Sequence, residues 1–164
     1  MTEALATLIE RHGSHGILVD TNILLLLFVG RFHREGIPRF KRTCQFTVAD
    51  FDRVTRVLSC FARIVTTPNI LSEVNSLSGQ LGEPYRSKYF AEFARGIDLL
   101  DEHYVPSKSA AAAPEFRRLG LTDSVILHLG KEQLLVLSDD LRLCQYLQKA
   151  GVDVLNFSHI RAIK

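Results

Sequence analysis

The chain has 164 residues, 46% hydrophobic and 23% charged, which suits one folded domain with a sizeable core and excludes a largely disordered chain. Its net charge of +2 excludes a polycation, so an anionic partner has to be met by a local basic patch. Three scattered cysteines, Cys44, Cys60 and Cys144, form no CxxC pair. They argue against a disulfide framework or zinc site and read as small buried hydrophobes in a reducing cytoplasm.

Residues 4–11 read as a short helix ending near Gly13. "MTEALATLIERHGSHG" has neither a basic leader nor an apolar h-region, so no signal peptide and a cytoplasmic location are expected. The run "GILVDTNILLLLF", residues 16–28, is the most apolar in the chain. It is too short to cross a bilayer and carries Asp20 and Asn22, so no membrane association is expected. "GILVD" reads as a buried strand, and the leucine-rich stretch beyond Asn22 as a helix. Asp20 then stands at their junction, where burying an unpaired carboxylate is costly.

"GRFHREGIPRFKRT", residues 30–43, reads as a basic loop. The stretch 48–64 places Phe51, Val54, Val57, Leu58 and Phe61 at helical spacing, with Thr47 or Asp50 as cap. "RIVTTP" reads as a second strand stopped by Pro68, and 68–79 as a helix with proline early and glycine past its end. Residues 84–104 read as an amphipathic helix, and 107–121 as a loop or short helix. The last third alternates a capped helix "TDSVILHLG", a strand "QLLVLS", a helix 140–151, a strand "VDVLNF" and a turn of helix "SHIRAIK". This alternation indicates an α/β fold with a mainly parallel sheet and helices on its faces, in a single domain spanning 1–164.

Ligands of open parallel sheets bind at the carboxyl ends of strands. Asp20 and the pair Asp139–Asp140 fall at such ends, while Glu73 and Asp123 lie early in helices that can open on the same edge. Converging carboxylates repel one another unless a hard cation such as Mg²⁺ or Mn²⁺ neutralises them. Such an ion can activate water against a phosphodiester. Taken singly, Asp123, Asp139 and Asp140 also read as helix-terminus residues and Glu73 as a solvated position.

"VDTN" at 19–22, "LSEV" at 71–74, "LTDSVIL" at 121–127 and "VLSDDLRL" at 136–143, in this order and element context, resemble the PIN-domain family from about residue 16 to 158. The resemblance implies a three-layer α/β sandwich and a Mg²⁺- or Mn²⁺-dependent endoribonuclease. It implies Asp20, Glu73, Asp123 and Asp140 as catalytic and metal-binding acids, with Asp139 at the variable position of the final motif. Asn22, Thr122 and Ser138 would support them. Residues 30–66 are longer than in compact members of the family, and 104–118 match no motif.

For substrate, the best basic candidates are Arg31, His33, Arg34, Arg39, Lys41 and Arg42, interleaved with Phe32 and Phe40, an arrangement suited to single-stranded RNA. The competing reading is a solvated loop with two core phenylalanines. Arg117 and Arg118 form a second, weaker patch. The family further implies a homodimer and, for small members, a toxin role with an antitoxin partner. A non-toxin processing or defence nuclease and a catalytically weak binding scaffold are the other readings. A phosphohydrolase with a nucleophilic Asp is disfavoured, because "DTN" stands where DxD is usual.

Overall fold

The computed structural model describes residues 3–162; Ile163 and Lys164, the end of the expected terminal helical turn, lie outside the described residues. In chain order the elements are α1 Glu3–His12, β1 Ile17–Val19, α2 Thr21–His33, a 3-10 turn Arg34–Gly36, α3 Val48–Leu58, β2 Ile64–Thr66, α4 Pro68–Ser78 and α5 Tyr85–Ile97. There follow β3 Asp101–Glu102, α6 Ser107–Ala112, α7 Phe116–Gly130, β4 Leu135–Ser138, α8 Leu141–Lys149, β5 Val154–Asn156 and α9 Phe157–Arg161.

The five strands form one sheet in the order β3-β2-β1-β4-β5, and every pairing is parallel. β1 is central, with Ile17 opposite both Ile64 and Leu135. It is covered on both faces, so Ile17, Leu18 and Val19 form a continuous apolar run with no exposure, the usual pattern of a buried parallel strand. The chain runs from β1 to β2 and β3 on one side of the sheet and returns to β4 and β5 on the other. Accordingly α2 packs with α3, α4 and α5, whereas α7 packs with α8 and β4. The result is a three-layer sandwich. Among the described residues no helix is long and apolar enough to cross a membrane.

Several boundaries differ from the sequence expectation. α2 begins at Thr21, not beyond Asn22, because Asp20 caps it, and it runs through Gly30 to His33. Gly30 does not stop the helix: a Cβ there would fall 2.2 Å from the Phe51 ring, so the glycine admits α3 to close packing. α3 ends at Leu58, six residues early, though Phe61 beyond it is still buried. Both proposed caps operate, as Thr47 and Asp50 form a reciprocal capping box.

α5 ends at Ile97, and two of the residues expected to continue it form β3 beside β2. Asn156 caps α9 by accepting from the Ser158 amide, which moves Phe157 from strand to helix. Of the three cysteines only Cys144 is buried. Cys44 and Cys60 lie in exposed turns and donate to the Lys41 and Arg56 carbonyls.

Candidate active site

The chain direction reverses across the sheet between β1 and β4, and at that switch point the carboxyl ends of both strands open outward. Asp20 follows β1 directly. Its amide donates to the Leu137 carbonyl at 3.0 Å, extending the β1–β4 ladder. Its carboxylate accepts from the Thr21 amide at 2.6 Å and from the Ser138 hydroxyl. The side chain is held by the start of α2 and the end of β4, and the residue is only 7% exposed. Burial pushes its pKa up to about 6; Ser138 and Thr21 pull it down, and the charges of Asp139 and Glu73 push it up.

Glu73 lies on α4, where Thr67 and Pro68 fix the helix start. Its two oxygens accept from different elements, Oε2 from Thr21 at 2.7 Å and Oε1 from Thr122. The carboxylate thereby ties α2 to α7. Asp123 follows a break in α7, where Gly120 takes φ +76° and ψ −170° and the helix restarts. The expected capped helix therefore begins just after a glycine break, and the Thr122 hydroxyl bonds Glu73. Burial raises the Asp123 carboxyl to about 7, helped by the charges of Asp20, Asp140 and Glu73.

Asp140 caps α8, with Oδ1 accepting from the amides of Arg142 at 2.7 Å and Leu143 at 3.1 Å. Its own amide donates to the Ser138 hydroxyl at 3.0 Å. Ser138 thus positions two acids at once. Asp139 turns to a different set of partners: Asn22 donates to it at 3.2 Å, and Gln45 donates as well. Burial nevertheless leaves its carboxyl raised.

The structure therefore brings Asp20, Glu73, Asp123, Asp139 and Asp140 to one edge and gives Asn22, Thr122 and Ser138 the supporting bonds expected of them. Thr21 and Gln45 are further partners that the sequence did not single out. Among the described residues no ion pair involves any of these five acids. No group of three or more His, Cys, Asp or Glu side chains there is drawn together closely enough to form a ready metal cage. The donor set consists of hard oxygens, none of them in an ion pair with Lys or Arg. In donor type and charge it fits Mg²⁺ or Mn²⁺ and not zinc.

The basic residues expected to bind substrate have varied surroundings. Arg31 stands about ten residues along α2 from Thr21, hence about 15 Å down its axis. It shares a cavity of about 540 Å³ with Arg63, Asp98 and Asp101, at the amino edge of the sheet. Arg34 is paired with Asp52 at 2.8 Å and lies over the Phe51 ring. Arg42 donates to Gln80 at 2.9 Å, past the far end of α4. Arg39 and Lys41 are exposed in the same loop. Phe32 and Phe40 pack on the core, and Phe32 meets Tyr89 edge to face. The two phenylalanines are thus core residues, while the loop itself returns to the acids at Gln45, which bonds Asp139.

What opens onto the acids is a cleft of about 510 Å³ between α7 and α8, lined by Asp123 and Asp140 together with Arg118, Arg142, Tyr146 and Lys149. Arg118 had been grouped with Arg117; only Arg118 lines the cleft. Arg142 and Lys149 were legible only as residues of the helix expected at 140–151.

No protein-family model, curated protein or solved structure matches the chain.

Proposed function

We propose that the protein is a PIN-like, metal-dependent endoribonuclease. The observation that supports this reading most is the assembly of Asp20, Glu73, Asp123 and Asp140, from four separate chain segments, at the β1–β4 switch point with no ion pair to Lys or Arg among the described residues. Acids converging at such an edge repel one another and cost stability, and the crowding helps to raise Asp20 and Asp123; a cation-binding role accounts for that cost. Asp20, Asp123 and Asp140 would hold the ion, and Glu73, clamped by Thr21 and Thr122, would complete the set. When bound, Mg²⁺ or Mn²⁺ would neutralise the acids, activate water and stabilise the leaving oxygen of a phosphodiester.

The chain's own contribution is positioning. Ser138 orients the Asp20 carboxylate and the Asp140 backbone together. The α8 amides occupy Asp140 Oδ1 and leave Oδ2 for a ligand. The Asp123 Oδ atoms gain no hydrogen bond among the described residues, which leaves both available to a cation.

The test is cleavage of labelled single-stranded RNA by the purified protein. Cleavage should require Mn²⁺ or Mg²⁺, stop on chelation, and be lost in Asp20→Asn with the circular dichroism unchanged. Undiminished cleavage by Asp20→Asn would refute the assignment. The open spacing of the acids favours one second reading, a weakly catalytic RNA-binding scaffold; RNA binding without any metal-dependent cleavage would select it. Growth arrest on expression, relieved by a co-expressed partner, would identify a toxin with its antitoxin; a processing or defence nuclease would give no arrest.

A further inference from the structure

On α8 the residues Arg142, Tyr146 and Lys149 recur at helical spacing and form one stripe, while Leu143, Cys144 and Leu147 bury the opposite face. The stripe begins two residues from Asp140 and extends for about 10 Å along the axis. Across the cleft, Arg118 precedes the Gly120 break in α7 and places its guanidinium 5.4 Å from the centre of the Tyr146 ring. Among the described residues, none of the Arg118, Arg142 and Lys149 side chains forms an ion pair. Three unspent cations and an aromatic plane therefore line a crevice whose acidic end is Asp123 and Asp140.

We infer that this α7–α8 cleft is the track along which a single RNA strand reaches the acids. Arg118, Arg142 and Lys149 hold its phosphates, and the Arg118–Tyr146 pair supplies a plane for an unpaired base. The inference rests on the ribonuclease reading and names the part of the molecule that binds substrate. The charge logic is direct. A phosphodiester approaching an acid cluster is repelled, so productive binding needs cations beside the cluster, and phosphate contacts dominate nucleic-acid affinity. In the loop at 34–42, Arg34 is committed to Asp52 and Arg42 to Gln80, whereas Arg118, Arg142 and Lys149 line the same cleft as Asp123 and Asp140. Stacking on aromatic and guanidinium planes is the way unpaired bases are held.

The test is fluorescence anisotropy of a labelled oligouridylate, titrated at several salt concentrations in an Asp20→Asn background that prevents turnover. Arg142→Ala and Lys149→Ala should each weaken binding several-fold and lower the slope of log affinity against log salt by about 0.7 per lost phosphate contact. Tyr146→Ala should weaken binding by about tenfold and leave the slope unchanged. In the Asp20-containing protein, Arg142→Ala/Lys149→Ala should raise KM for RNA cleavage more than it lowers kcat. Unchanged affinity and slope in that double variant, while the parent cleaves RNA, would overturn the track and leave the ribonuclease reading standing. Losses confined to Arg39→Ala, Lys41→Ala or Arg42→Ala, or equal affinity for duplex RNA, would overturn it too. If the parent neither binds nor cleaves RNA with Mn²⁺, both readings fall together.

Discussion

Asp20 carries two duties that can be separated by one substitution. As cap of α2 its carboxylate accepts the Thr21 amide, and asparagine caps a helix about as well. As one of five crowded acids it adds repulsion, which asparagine removes. Asp20→Asn should therefore be as stable as the parent, or more so, without metal, while the rise in Tm that Mn²⁺ gives the parent should shrink or vanish. Differential scanning fluorimetry with and without Mn²⁺ measures both; a large loss of stability in chelator would show that Asp20 serves the fold first. The five acids were legible in the sequence because each stands at a strand end or early in a helix, positions that local pattern reveals. Thr21, Gln45, Arg142 and Lys149 were not, since their importance depends on which surface faces them, and only tertiary packing decides that.

The break in α7 is the element on which the site turns. Gly120 adopts φ +76° with ψ −170°, a backbone region open almost only to glycine. An added Cβ would meet no atom within 4 Å, so any penalty for Gly120→Ala comes from conformation and not from a clash. The expected loss is about 1 kcal/mol or more, read as a lower denaturation midpoint. Cleavage should fall more steeply, because the restart sets the positions of Thr122 and Asp123. Gly96→Ala makes the contrast. Its Cβ would lie 2.2 Å from the Phe28 ring, so it should destabilise α5 packing on α2 while sparing the site geometry in the molecules that remain folded. The long helices were readable from period and caps. β3 was not, because two acidic residues carry no strand pattern and pair only through their neighbour, and the 30–33 segment was misread because a packing glycine looks like a stop.

For the molecule as a whole, two groups of carboxyls oppose each other in pH. In the unfolded chain an aspartate titrates near 4, whereas Asp20 and Asp123 titrate at about 6 and about 7 in the fold. The folded state then binds more protons across that interval, so stability falls as pH rises through it. Asp50 and Asp153 have the opposite sign. Burial pushes Asp50 up, but Arg161 and Thr47 outweigh it and hold it low; His12 and then Arg11 hold Asp153 low against burial. Their stabilisation is present above the ordinary carboxylate range and lost as pH falls below it. Without metal, Tm should therefore peak at about pH 5, and Mn²⁺ should lift the alkaline side selectively. A flat metal-free profile between pH 5 and about pH 8 would contradict the crowding of Asp20 and Asp123.

β3 has a further consequence for the molecule in company. A long bare strand at the margin of a sheet is a template on which another chain can add its own backbone, the route to fibres. Here that margin is two residues long, both acidic, with Asp101 engaged by Arg63. An incoming strand would find almost no ladder to extend and a negative charge at each step. At this margin growth of the sheet by a second copy is thereby disfavoured.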